Sequence, residues 1–230
     1  MPFYFGMGLA GLVVVAVGFG WTYAVPMFRQ TFSAPWFVHL HGASALAWLL
    51  LFIGQPLLVR WRRSGLHRKL GLVALPLAIT VCISGIATAG WAASRDLPHI
   101  GSAATSALAG TVTGLSLFVL LVAAAIMLRK RPDWHKRLML LATIHLLWPA
   151  FFRLRHWLPE VPNPEIWLAL VCAYLPIVIA AVRDKAKYGK VHPVWLFVAP
   201  ALLVEQSFEV AFFDQGLQRD LGQWLYSLFG

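Results

Sequence analysis

The chain has 230 residues, of which 60% are hydrophobic and only 12% charged, a balance outside that of soluble domains. Its formal charge of +10 would suit nucleic acid, but the cations sit in a few short connections between long apolar runs. That distribution excludes a nucleic-acid face, and the short connections leave no room for a soluble domain.

Seven apolar runs follow one another over roughly 3–26, 35–59, 68–92, 104–128, 136–157, 165–182 and 193–213, each close to the length of about 20 residues that a spanning helix needs. They predict an all-α, polytopic transmembrane bundle of seven helices occupying residues 1–213. The first run starts almost at Met1 with neither a charged leader nor a small-residue cleavage site, and reads as a retained span rather than a signal peptide. Cys82 and Cys172 fall inside runs, where a free cysteine acts as a small hydrophobe. Run three carries Thr80, Ser84, Thr88 and Ala92 at intervals of four, and run four carries Ser102, Ser106, Gly110 and Gly114 in the same way. Such stripes let helix backbones approach closely in lipid. Pro56, Pro76, Pro149, Pro176 and Pro200 are expected to kink their helices. The tail, 214–230, is too short and polar to span; Leu217, Leu221, Trp224, Leu225 and Leu228 predict an interfacial helix on the outer surface.

Charge sets the expected orientation. Fourteen of the nineteen cations lie in three alternate connections: Arg60, Arg62, Arg63, Arg68 and Lys69; Arg129, Lys130, Arg131, Lys136 and Arg137; Arg183, Lys185, Lys187 and Lys190. Basic short loops mark the cytoplasmic face, which predicts a cytoplasmic N-terminus and a periplasmic C-terminus in a bacterial inner membrane. Anionic lipid headgroups are the expected contact of this charge, and nucleic acid is not. Trp61, Trp134 and Trp195 fall near the inner ends of the runs, and Trp21, Trp36, Trp91, Trp157 and Trp167 near the outer ends, as expected of interfacial rings.

Two basic junctions echo each other: His67-Arg68-Lys69-Leu70 and His135-Lys136-Arg137-Leu138, with His192 in a looser third copy. The three histidines start helices three, five and seven at one end of the bundle. Three imidazoles can form a metal shell, although no close His-x-x-x-His spacing supports one. Contacts to backbone groups or lipid headgroups are the leading reading of them. His99 is expected in a loop.

In the outer half, Glu205 and Glu209 share one face of helix seven. At about 1.5 Å per residue, Glu209 and Arg153 lie roughly 6 Å below the boundary, and His41 and Glu205 roughly 9–12 Å. Ionisable groups at such depth face partners or a wet cavity, so His41, Arg153, Glu205 and Glu209 form a candidate ligand or proton site, or a structural ion-pair network. A b-type haem held between His41 and His145 is a further reading, although their depths differ by roughly 9 Å. The sequence carries no Cys-x-x-Cys-His, nucleotide loop, nucleophile elbow or His-Glu-x-x-His.

His41-Gly42, Trp48, Gln55, His67-Arg68-x-Leu70-Gly71, the run His135 to Thr143, Arg153 and His192-Pro193 resemble an uncharacterised family of bacterial multi-pass membrane proteins. The likeness covers helices two to seven and implies an inner-membrane bundle without an assigned activity. A more distant analogy is to di-haem b-type cytochrome bundles. The expected function is therefore a non-catalytic membrane component that binds lipid, a small ligand or a partner subunit. A haem- or metal-dependent redox protein and a proton-coupled small-molecule transporter are the competing readings.

Overall fold

The computed structural model describes residues 2–229. Seven helices in it are long and apolar enough to cross a membrane: α1 (Phe3–Phe28), α2 (Trp36–Arg60), α3 (Ser64–Ile100), α4 (Ser102–Met127), α5 (Pro132–His156), α6 (Pro164–Tyr188) and α7 (Val194–Ala211). An eighth, α8 (Gly216–Ser227), follows, and no strand occurs among the described residues. The chain is a multi-pass helical membrane protein.

Helix α3 is longer than the 68–92 expected from hydropathy. Its first eight residues form an amphipathic segment, Ser64–Gly71, offset by a turn at Leu72 and Val73 from the apolar Ala74–Ile100. At the other end the backbone stays helical past the apolar run, with Arg95 and Asp96 pairing at 2.7 Å on its exposed side. His99 consequently lies in the last turn of α3 rather than in a loop, because hydropathy marks where lipid ends and not where the helix ends.

Gly101 alone connects α3 to α4. Its φ of 61° and ψ of −142° lie in a region open mainly to glycine, and a link this short makes the two helices an antiparallel hairpin. Gly189 closes α6 in the left-handed conformation, with its N–H on the Lys185 carbonyl.

Three prolines act through the turns before them, whereas Pro56 lies inside the uninterrupted α-helix Trp36–Arg60. π-turns at Gly20–Ala24, Trp167–Cys172 and Val194–Val198 precede Pro26, Pro176 and Pro200. A proline ring displaces the carbonyl four residues back, and the wider turn accommodates it. In α5 the helix breaks at Leu147 before Pro149, then resumes as Trp148–Arg153. Pro76 sits in the first turn of Ala74–Ile100, where its missing N–H costs least, rather than in mid-span.

Helix α5 is the centre of the bundle. Half of its most apolar window is buried, against 17–33% in the other six spans, and it touches α1, α2, α4, α6 and α7. Around it Trp48 of α2 stacks edge-on against Phe118 of α4 with ring centroids 4.8 Å apart. The Trp48 indole also donates to the Thr143 hydroxyl of α5 at 3.2 Å.

At the basic end of the bundle, Arg137 is not a surface cation. It is 3% exposed, and its Nε donates to Asp184 Oδ2 of α6 at 2.5 Å while Nη1 donates to the Asp133 carbonyl. Trp195 of α7 donates to the same Asp184 oxygen at 2.9 Å. Trp195 is 5% exposed, so it is an internal partner of Asp184 and not an interfacial anchor. A buried carboxylate needs this many donors to offset its desolvation.

Candidate functional site

The stripe of small residues on α4 is a seat for polar side chains from other helices. Ser102 and Ser106 donate to the two Asp214 oxygens at 3.0 and 2.9 Å. A Cβ on Gly110 would collide with Glu209 Oε1, so the Glu209 carboxyl rests directly on the α4 backbone. One turn further, the Gly114 carbonyl accepts from His145 Nε2 at 3.0 Å. The corresponding stripe on α3 behaves differently: the hydroxyls of Thr80, Ser84 and Thr88 bond back to carbonyls of their own helix.

From Glu209 a hydrogen-bonded chain runs into the bundle. Gln206 Nε2 lies 2.7 Å from Glu209 Oε2, Tyr174 Oη lies 3.2 Å from Gln206 Oε1, and His145 Nδ1 lies 2.9 Å from Tyr174 Oη. Tyr174, His145 and Gln206 are each 4% exposed or less. Helices α4, α5, α6 and α7 thus meet through one file of polar atoms in an otherwise apolar interior.

Glu205, one turn before Glu209, points elsewhere. It closes a groove of about 270 Å³ between α4 and α7 that is otherwise lined by Leu117, Leu120, Leu121, Val198, Ala201 and Leu202. Its Oε2 is buried without a hydrogen-bond partner, and no cation lies within ion-pair distance of it among the described residues.

The four residues expected to share one outer cluster have separate surroundings. His41 Nδ1 lies 3.1 Å from the Val81 carbonyl of α3, beside Gly85. Arg153 donates to the Pro149 carbonyl at 3.1 Å and lies over the Phe19 ring of α1. No hydrogen bond or ion pair joins His41, Arg153, Glu205 and Glu209 to one another among the described residues. His145 has both ring nitrogens bonded within the protein, so neither is free for the axial position of a haem.

The basic-end histidines are likewise dispersed. His135 Nδ1 lies 2.8 Å from the Ala125 carbonyl, while His192 accepts from the Val194 N–H and bonds Asp133 at 3.2 Å. His67 Nδ1 is buried without a partner. Among the described residues no group of three or more His, Cys, Asp or Glu side chains gathers in a way that could hold a metal ion.

Asp214 fastens α8 over the end of α4. Burial opposes its ionisation, but the hydrogen bonds from Arg219, Ser106 and Ser102 hold its carboxyl below the usual carboxylate range. Gly222 of α8 lies against the Thr105 backbone, and Phe229 covers Gly90 of α3. Leu217, Trp224 and Leu228 of α8 are well exposed.

Gln206, Tyr174 and Asp184 are the residues that sequence reading missed. Gln206 stands between Glu205 and Glu209, where a polar residue in lipid is already costly, and that was the available signal. Tyr174 gave none, since tyrosine is ordinary in a span.

Comparison with protein-family models, with curated proteins and with solved structures returned no significant match.

Proposed function

We propose that the chain is a non-catalytic component of a bacterial inner membrane that binds a small organic cation with an apolar body in the α4–α7 groove. The observation that carries this reading is the buried, unpartnered Glu205 oxygen at one end of an apolar groove. A carboxylate oxygen buried there without a partner favours a cation that supplies the opposite charge while its apolar body fills the groove. Tetraphenylphosphonium is a suitable probe. Equilibrium dialysis with purified protein in nanodiscs is expected to show saturable binding that weakens about tenfold or more in Glu205→Gln, as loss of a poorly hydrated charge contact implies. Binding no greater than to empty nanodiscs, or equal binding by the variant, would overturn the reading.

Proton-coupled transport is a second reading, favoured by the position of Glu209 one turn from Glu205 and at the mouth of the polar chain. In that case cation binding at Glu205 releases protons from α7.

The basic connections support a cytoplasmic N-terminus, with anionic headgroups against Arg60, Arg62 and Arg63. A cysteine placed at any of positions 62–66 is expected to resist a membrane-impermeant maleimide in intact cells and to react once the membrane is opened. Labelling of intact cells would reverse the orientation.

A further inference from the structure

The polar chain from Glu209 to His145 can be counted donor by donor. Gly114 offers only a carbonyl, so His145 Nε2 must carry a proton. Tyr174 has one proton for two contacts, with Gln206 and with His145 Nδ1. Gln206 presents its amide nitrogen to one neighbour and its oxygen to the other, and a half-turn of the amide exchanges the two without moving the chain.

Two patterns place one proton in every contact. In the first, Glu209 is a carboxylic acid donating to the Gln206 oxygen. The Gln206 nitrogen then donates to Tyr174, Tyr174 donates to His145 Nδ1, and His145 is neutral. In the second, Gln206 donates to an ionised Glu209 and accepts from Tyr174. His145 must then donate through Nδ1 as well as Nε2, and it is an imidazolium. Gln206 Nε2 faces Glu209 and its Oε1 faces Tyr174, the amide orientation of the second pattern.

Both patterns hold the same number of protons. An ionised Glu209 with a neutral His145 holds one fewer, and it leaves two lone pairs facing each other at one buried contact. A buried contact left unsatisfied in this way disfavours that state.

We infer that Glu209 and His145 are the two ends of a single proton-sharing site, with Gln206 and Tyr174 as its relay. In the transfer, the Glu209 O–H bond breaks and the His145 Nδ1–H bond forms. Gln206 takes the Glu209 proton on its oxygen and gives an N–H proton to Tyr174, Tyr174 passes its own proton to Nδ1, and the imidic acid left at Gln206 moves its O–H proton to nitrogen and turns over to the second-pattern amide. No charge leaves the chain. The other titratable group near it is Glu205 on α7; α6 contributes Tyr174, α5 contributes His145, and α4 presents Gly110 and Gly114. The site joins four helices, so the position of one proton sets the hydrogen-bond direction across α4, α5, α6 and α7. It does not depend on what fills the groove.

The test uses the ligand-free, full-length protein in nanodiscs with ¹⁵N-labelled histidine. The fraction of His145 protonated on both nitrogens is read by NMR, and the Glu209 carboxylic-acid band by infrared difference against Glu209→Gln. The two are expected to mirror each other, the imidazolium fraction matching the ionised Glu209 fraction at neutral pH. Glu209→Gln reproduces the first pattern, and is expected to leave His145 wholly neutral with its proton on Nε2. Gln206→Leu cuts the relay, and there the two signals are expected to change independently with temperature. A wild-type His145 already indistinguishable from that of Glu209→Gln, or mirrored signals surviving in Gln206→Leu, would overturn the inference. Because no cation is present, neither result bears on binding at Glu205.

Discussion

Replacing Arg137 by Met, with Asp184 left in place, is expected to destabilise the bundle by about 3–5 kcal/mol, the usual consequence of stranding a buried charge. Asp184 is 2% exposed and would keep only the Trp195 indole at 2.9 Å and a distant Arg183 Nη1 at 3.5 Å. Neither replaces the 2.5 Å contact from Arg137 Nε. Asp184→Leu alone is expected to strand Arg137 similarly. The pair Arg137→Met with Asp184→Leu removes both charges and should recover much of the loss, since apolar replacements of a buried pair are often well tolerated. Thermal unfolding in one detergent, followed by loss of the monodisperse species, measures all three. Single variants as stable as the parent would show that the pair is already solvated.

Trp48→Ala is the second large effect, at about 3–5 kcal/mol for deletion of a buried aromatic side chain. Trp48 is 1% exposed and joins α2 to Phe118 of α4 and Thr143 of α5. Truncation empties that junction and removes the indole donor from Thr143. Trp48→Phe keeps most of the ring contact but not the hydrogen bond, and is expected to cost clearly less. Equal loss in the two variants would mean that the hydrogen bond, not the packing, is what Trp48 contributes.

These two residues show how far the sequence could be read. Seven spans were legible, because helix count follows from hydropathy and length, and the His135 to Thr143 run stood out as a motif. The reason for the run was not. Arg137 looks like one more cation in a basic junction, and only the fold reveals Asp184 beneath it, 47 positions away. Trp195 was misplaced for the same reason: an indole near a helix end suits an interface, and its acceptor came from another helix. Glu205 and Glu209 were legible as costly groups in lipid, but depth along a helix does not give rotation about it. Shared depth therefore suggested one cluster with His41 and Arg153, whereas rotation directs Glu209 to Gly110 and Glu205 to the groove.

The small-residue stripe of α4 was legible as close packing and turned out to seat side chains. Periodicity identifies a flat helix face equally well whether a backbone or a carboxyl comes to lie on it. The His145 partner on α6 was illegible altogether, since nothing in a lone tyrosine marks the neighbour it will meet.

Helix α7 is fastened beyond both of its ends. His192 holds Asp133 before it begins, and Asp214 holds Ser102 and Ser106 after it finishes. Contacts at both ends oppose sliding of α7 along its axis and swinging of it as a lever. Between the pins, the soft joint is the π-turn Val194–Val198 with Pro200 behind it, where backbone hydrogen bonding is already interrupted. Any change in the hydrogen bonds of Gln206 and Glu209 therefore reaches α7 as torsion, twisting the segment above Pro200 against the one below it.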